Sequence, residues 1–233
     1  MKNKISSLSI LFPVFKDSKT VEILIKKSIS LCEELSLDYE LVIVDDCCPE
    51  NSGSIVKNYM KSNNKIKLIT HEINKGYGES IKSGLKICSK DWILQTDGDN
   101  QYDIFDFKKM SKIIHNYDCI ITFRYKKIYS SFRIFISWIY NKLIQLLFKS
   151  NFRDISTGLR LIKRDALESI ELSSQNAFVG AEIAIKLMLK GYQVGEMGIS
   201  TYPREFGTST IITLRNIINT IKDIIKVRAE IFK

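Results

Sequence analysis

Five short β-rich runs, each followed by a polar or amphipathic stretch, constrain the fold of this chain more than any other feature. They cover residues 8–15, 39–44, 66–70, 92–96 and 119–123. Between the first two, Val21, Leu24, Ile25, Ile29, Cys32 and Leu35 fall on one helical stripe, after Asp17 and Ser18, residue types that cap helices. The spacing predicts further helices over residues 54–61, 79–88 and 106–116. Alternating strands and helices imply an α/β fold with a mainly parallel sheet, helices on both faces and ligands beyond the carboxyl ends of the strands.

With 45% apolar residues, 11 Gly and 3 Pro in 233 residues, the chain has ample material for a core, which excludes a disordered or disulfide-stapled protein. The five cysteines include no C-x-x-C pair and the two histidines, His71 and His115, stand far apart, so no zinc site is encoded. That usage fits a reducing, cytoplasmic setting. Residues 5–15 are uncharged, yet Pro13 interrupts the run and Lys16 and Asp17 follow where a cleavage site would stand, so it reads as a buried strand. No uncharged stretch approaches the roughly 18–20 residues a bilayer span needs, so no integral segment is expected.

The net charge of +9 is unevenly spread, since residues 120–165 hold ten basic residues against two acidic ones. Within that window residues 132–148, FRIFISWIYNKLIQLLF, are strongly apolar, with Arg133 and Lys142 as their only charges. Aromatic residues beside cations suit a helix in a membrane interface as well as a core helix. No nucleic-acid motif accompanies the charge, and no nucleic-acid partner is expected. Residues 210–233 carry Ile211, Leu214, Ile217, Ile218, Ile221, Ile224 and Ile225 at helical spacing, a pattern for packing on the domain, for a homodimer or for membrane contact.

The second run ends in Asp45 and Asp46, and the fourth in Asp97, Gly98 and Asp99 with Gln101 following. An Asp-Asp pair alone is equally a turn. Two carboxylates and an amide oxygen at alternate positions can present hard ligands to one divalent cation while leaving places for phosphates. Gly76-Tyr77-Gly78 lacks the third glycine of a dinucleotide fingerprint and follows the third strand, so that reading is rejected.

Taken together, residues 13–17 (PVFKD), 44–46 (VDD), Asn74-Lys75-Gly76 leading to Gly84, and residues 97–101 (DGDNQ) resemble glycosyltransferase family 2 with its GT-A fold. Downstream, residues 123–125, Arg133 with Ser137, residues 154–160 (DISTGLR), Glu182, and Arg204 before residues 206–209 (FGTS) are similar to polyprenyl-phosphate sugar synthases of the dolichyl-phosphate mannose type. The resemblance covers residues 7–210 and implies a GT-A domain over residues 1–210 with an amphipathic helix over 211–233. It implies that Pro13, Phe15, Asp17, Val44 and Asp46 hold the nucleoside, that Asp97, Asp99 and Gln101 bind Mg²⁺ or Mn²⁺, and that Gly98 lies against the donor. Arg124, Arg133 and Ser137 would hold the acceptor phosphate, Arg204 would close over the donor diphosphate, and Asp99, Arg124 and Arg133 would carry the catalysis. Asp17 replaces a usual Glu, Phe15 a usual Tyr, and Thr210 a usual Lys near the diphosphate.

The implied activity is metal-dependent, inverting transfer of a hexose from GDP-mannose or a UDP-sugar to a polyprenyl phosphate. It would take place at the inner, cytoplasmic face of the membrane, reached peripherally or through an anchored partner. A hydroxyl acceptor would need a general base, and the Glu-Asp pair that often supplies it is absent, because Ile183 follows Glu182. The Gln-x-x-Arg-Trp signature of processive synthases is missing too. Competing readings are a family 2 enzyme acting on a glycan hydroxyl, a receiver-type regulator built on the strand-end acids, and a scaffold that keeps the fold without activity.

Overall fold

The computed structural model describes residues 5–204, 206 and 213–232. Its interior strand β1 (Ser7–Val14) is buried almost throughout and pairs in parallel with β2 (Asp38–Asp45) on one side and β4 (Trp92–Gln95) on the other. β3 (Ile66–Thr70) extends the sheet in parallel beyond β2. Past β4 lie β6 (Arg160–Lys163), antiparallel to both neighbours, then β5 (Cys119–Arg124) and β7 (Val194–Ile199). The order among the described residues is therefore β3-β2-β1-β4-β6-β5-β7.

Strand alternation divides the core into two layers. Ile10, Phe12, Leu41 and Ile43 point to one face, where they meet Val21, Leu24 and Ile25 of α1 (Ser18–Glu34), Val56 of α2 (Ser52–Met60) and Met110 of α4 (Phe107–Ile113). Leu11, Val42 and Val44 point to the other, against Ile81 of α3 (Tyr77–Leu85) and Ile183 of α7 (Val179–Leu189). A short helix α6 (Arg164–Glu168) follows β6. The helix expected over 106–116 is α4 flanked by single 3-10 turns at Ile104–Asp106 and Ile114–Asn116. Asp17 stands at the N-cap of α1 but makes no capping bond, because its carboxylate accepts from Phe15 N–H at 3.3 Å instead.

Two long helices lie at the surface. α5 (Ser131–Phe148) buries Asn141, Ile144 and Phe148 and exposes Phe132, Phe135, Trp138, Ile139, Leu143 and Leu146. α8 (Leu214–Ile231) packs through Ile224 and Val227 and leaves Leu214, Ile217, Ile218, Ile221 and Ile225 exposed. Its Asp223 accepts from the N–H groups of Gln175 and Asn176 and from Asn176 Nδ2, at 3.0–3.2 Å, which pins the helix to that loop. No described helix is long and apolar enough to cross a membrane.

Candidate active site

The order in which strands are added reverses between the parallel neighbours β1 and β4, since β2 and β3 build outward on one side of β1 while β4 is added on the other. Crevices at such switch points collect what projects from the strand ends. Here that is Pro13–Asp17 and Asp97–Asp99. They approach so closely that a Cβ on Gly98 would stand 2.3 Å from the Pro13 carbonyl oxygen and 3.2 Å from Asp17 Oδ2. Thr20 ties the two together by donating its hydroxyl to the Gly98 carbonyl at 2.7 Å.

Asp97 is held from three sides. Its Oδ1 accepts from the Tyr77 hydroxyl at 2.8 Å, and that oxygen accepts from Gln95 Nε2 at 3.1 Å, a directional chain in which each donor polarises the next. Gly158 lies flat against the carboxylate, where a Cβ would come within 2.3 Å of its atoms. Arg160, directly across the strand pair from Gln95, is a buried guanidinium that forms no salt bridge among the described residues. Burial and then the charge of Asp99 push the Asp97 carboxyl up to about 6, against the opposing pull of Tyr77 and Arg160. Burial likewise raises Asp17 to about 6, opposed by the Phe15 hydrogen bond and the Arg204 charge.

Asp99 Oδ2 receives Arg204 Nη2 at 2.6 Å and Nε at 3.2 Å, and its Oδ1 receives Gln101 N–H at 3.1 Å. Gln101 donates its amide to the Tyr202 carbonyl at 3.2 Å. Three carboxylates thus crowd the neighbouring ends of β1 and β4, two of them resisting ionisation, and a divalent cation would relieve that repulsion. The oxygen donors fit a hard cation. No group of three or more His, Cys, Asp or Glu side chains is placed to hold a metal ion among the described residues, so such an ion would depend on other ligands, as Mg²⁺ commonly does.

The residues at the end of β2 sit deeper. Asp46 is buried and accepts from Lys75 N–H and Gly76 N–H, each at 2.8 Å, and stands 2.7 Å from His71 Nδ1, so its carboxylate holds the 74–76 turn in place. Asp45 accepts from Cys48 N–H at 2.8 Å. The Val44 side chain is fully buried beneath the cleft and Phe15 is partly exposed at its lip.

A second constellation forms beyond β5. Arg124 makes a two-pronged ion pair with Asp154 at 2.8 and 3.1 Å and also donates to Ser156. Tyr129 lies between two guanidinium groups, with Arg124 5.5 Å and Arg133 3.8 Å from its ring centroid. Ser137 accepts from Lys127 Nζ at 2.7 Å, while Asn141 donates to the Ser137 carbonyl and to Asp154. Arg124, Arg133 and Ser137, spread over 14 positions of sequence, therefore gather around Tyr129 and Lys127. Sequence reasoning had no signal for Tyr77 or Gln95 as site residues, because each acquires its role from a contact between separate segments, and it missed Tyr129, which stacks with Arg124 and Arg133 within its own stretch of chain. Of the residues around Arg204, 207–210, including Thr210, lie outside the described residues.

Residues 9–171 match the family model described as glycosyl transferase family 2. A curated relative, undecaprenyl-phosphate 4-deoxy-4-formamido-L-arabinose transferase from Yersinia enterocolitica, is 26% identical over 226 residues, which is 95% of this chain and 67% of that protein. Among solved structures, glucosyl-3-phosphoglycerate synthase from Mycobacterium tuberculosis, in complex with Mn²⁺, uridine diphosphate and phosphoglyceric acid, superposes with a TM-score of 0.71 at 14% identity. That match covers 97% of this chain and 78% of the other. Mannosyl-3-phosphoglycerate synthase from Rubrobacter xylanophilus gives 0.70 at 13% identity, over 97% of this chain and 73% of its own. At these identities the structural likenesses speak for the fold.

Proposed function

The chain belongs to glycosyl transferase family 2, and from that premise we propose that it transfers a sugar from a nucleotide-diphospho-sugar to a polyprenyl phosphate, with inversion at the anomeric carbon. The observation that carries this choice of acceptor is the state of Glu182. It is fully buried and accepts from Ser173 and Ser174 N–H at 2.8 and 2.9 Å, with Lys186 Nζ at 2.6 Å. Burial acts to raise its carboxyl, but these partners outweigh it and hold the group below the usual range. A carboxylate so committed is a poor general base. A phosphate monoester, with a second pKa of about 6, is largely ionised near pH 7 and attacks without one.

On this reading the nucleoside lies against Pro13, Phe15 and Asp17, over the floor supported by Val44 and by the turn that Asp46 holds. Asp97, Asp99 and Gln101 would hold Mg²⁺ or Mn²⁺, which when bound neutralises charge on the departing diphosphate. Arg204 swings from Asp99 toward that diphosphate. Gly98 lets the donor approach the backbone. Arg133 and Ser137 orient the acceptor phosphate, while Arg124, locked to Asp154, contributes its charge from behind.

The test is a radiolabel assay crossing GDP-mannose, UDP-glucose and UDP-N-acetylhexosamines with polyprenyl phosphates and hydroxyl acceptors. Transfer to polyprenyl phosphate is expected, and transfer confined to hydroxyl acceptors would overturn the assignment. In the same assay Arg133→Ala should raise the acceptor KM by about tenfold to a hundredfold, the size of one lost charge-assisted hydrogen bond, with the donor KM little changed. Equal effects on both would move Arg133 out of the acceptor site.

The acceptor lives in a bilayer, so the enzyme works peripherally at the membrane surface. The exposed apolar strips of α5 and α8 and the cations around them support this. Binding to anionic liposomes should be salt-sensitive, each nearby cation contributing about 1 kcal/mol. Lys126→Glu with Lys142→Glu should weaken it. Lys127, which the basic cluster also offers, is unsuited to this test because it is half-buried and pairs with Asp154 at 3.4 Å. Co-sedimentation that ignores salt and both reversals would leave an anchored partner protein as the better explanation.

A further inference from the structure

We propose that the flank of α5 carries a seat for the phosphate head of an anionic membrane phospholipid, adjoining the acceptor constellation. The proposal rests on the membrane-surface reading above and gives it a specific site. Between α5 and the segment before β6 lies a cavity of about 410 Å³. Lys127, Lys142 and Arg153 supply its charge, Ile134 and Trp138 an apolar wall, and Asn141 and Gln145 its amides. No carboxylate lines it. Asp154, close by, has a side chain only 4% exposed and pairs with both Arg124 and Lys127, which leaves Lys142 and Arg153 as the cavity's cations without a salt bridge among the described residues, and Glu196 is engaged by Arg153 N–H at 2.7 Å.

The cations are partly pre-set. Arg153 is held 4.7 Å over the Phe123 ring, and the Lys142 ammonium bonds only the neutral Gln145 amide oxygen, at 3.1 Å, among the described contacts. An anion entering here would replace no salt bridge of Lys142 or Arg153. Such a positive pocket with one apolar wall matches a phosphodiester carried on a hydrocarbon stem.

Position identifies which phosphodiester. At 100° per residue, Ile134, Trp138, Lys142 and Gln145 form one strip of α5, and Phe132, Phe135, Ile139, Leu143 and Leu146 form the neighbouring, exposed strip. A helix lying with the second strip in the acyl region brings the first to headgroup height, where an indole is at home. Lys127, through its bond to Ser137, is common to this cavity and the acceptor constellation, so an occupied seat would fix the acceptor site against the bilayer.

The experiment titrates the full chain with dihexanoyl phosphatidylglycerol below its micelle concentration, read by calorimetry and by tryptophan emission. Dihexanoyl phosphatidylcholine, inorganic phosphate and citronellyl phosphate serve as comparison arms. Saturable one-to-one binding is expected, with an emission change lost in Trp138→Phe and affinity reduced about fivefold by each of Lys142→Gln and Arg153→Gln. Turnover on a soluble acceptor should be unchanged in both glutamine variants, and thermal melts confirm that they fold; if one does not, the other carries the test. Absence of saturation, indifference to both substitutions, or equal affinity for inorganic phosphate would overturn the seat, and tighter binding of citronellyl phosphate would reassign it to the acceptor. Liposome binding that fails while the short lipid still saturates would strike the membrane reading and spare the seat; the reverse would strike the seat alone.

Discussion

Asp99→Asn is expected to lower turnover by about a hundredfold to a thousandfold, the scale of losing a preorganised electrostatic contact at a developing charge. The substitution keeps the shape of the side chain and an oxygen for Gln101 N–H, so what it removes is charge. That charge is one of three at the neighbouring strand ends, and it raises the carboxyls of both Asp97 and Asp17. Its loss relieves repulsion while releasing Arg204, two opposing effects at the mouth of the crevice, and the fold should survive. Turnover measured against Mn²⁺ concentration, beside a thermal melt, checks this. Activity within a few-fold of the parent at saturating Mn²⁺ would remove Asp99 from the metal site.

The largest effect on stability should come from Asp154→Ala, which strands Arg124 as a buried cation. With side-chain exposures of 7% and 4%, the pair is shielded from water, and breaking one partner of a buried pair typically costs about 3–5 kcal/mol. Replacing both, as Arg124→Met with Asp154→Leu, should restore much of that, since no charge then remains to be solvated. Urea denaturation of the parent and the two variants measures the difference; a loss below about 1 kcal/mol for Asp154→Ala would mean that water reaches the pair and screens it.

The same pair sets an acid limit. Burial acts to raise the Asp154 carboxyl, but the hydrogen bonds and charge of Arg124, with Ser156 and Lys127, outweigh it and hold the group below the usual carboxylate range. A depressed acid binds its proton less readily in the folded state than in the unfolded one. Its stabilisation is therefore complete above the unfolded pKa of about 3.9 and is lost as pH falls through the lower folded value. Acid unfolding of the parent should show this loss below about pH 4, and the double variant should lack that component.

The five parallel strands were legible because each is a local run of β-rich apolar residues, and their observed bounds differ from the expected ones by one residue at most at either end. β6 and β7 were not. β6 is four residues long, and β7 contains Gly195 and Gly198, whose missing side chains make room for the rings of Tyr117 and Tyr125. Both are strands because of partners 39 or more positions away, which no local pattern records. Likewise, the acids at the ends of β2 and β4 are visible in the sequence, but their different fates are not: Asp46 turns inward to the 74–76 turn, while Asp99 faces Arg204.

By itself, then, the sequence determined the α/β alternation, the motifs at the strand ends and the uneven charge, all of them properties of short segments. The tertiary structure alone decided which carboxylates crowd together, that Tyr77 and Gln95 support Asp97, that Glu182 is buried among Ser173, Ser174 and Lys186, and that α5 sets a cationic cavity beside an apolar strip. Those outcomes depend on register and packing between segments tens of residues apart, where a side chain's partners, and hence its charge state and reach, are set by neighbours that local sequence does not specify.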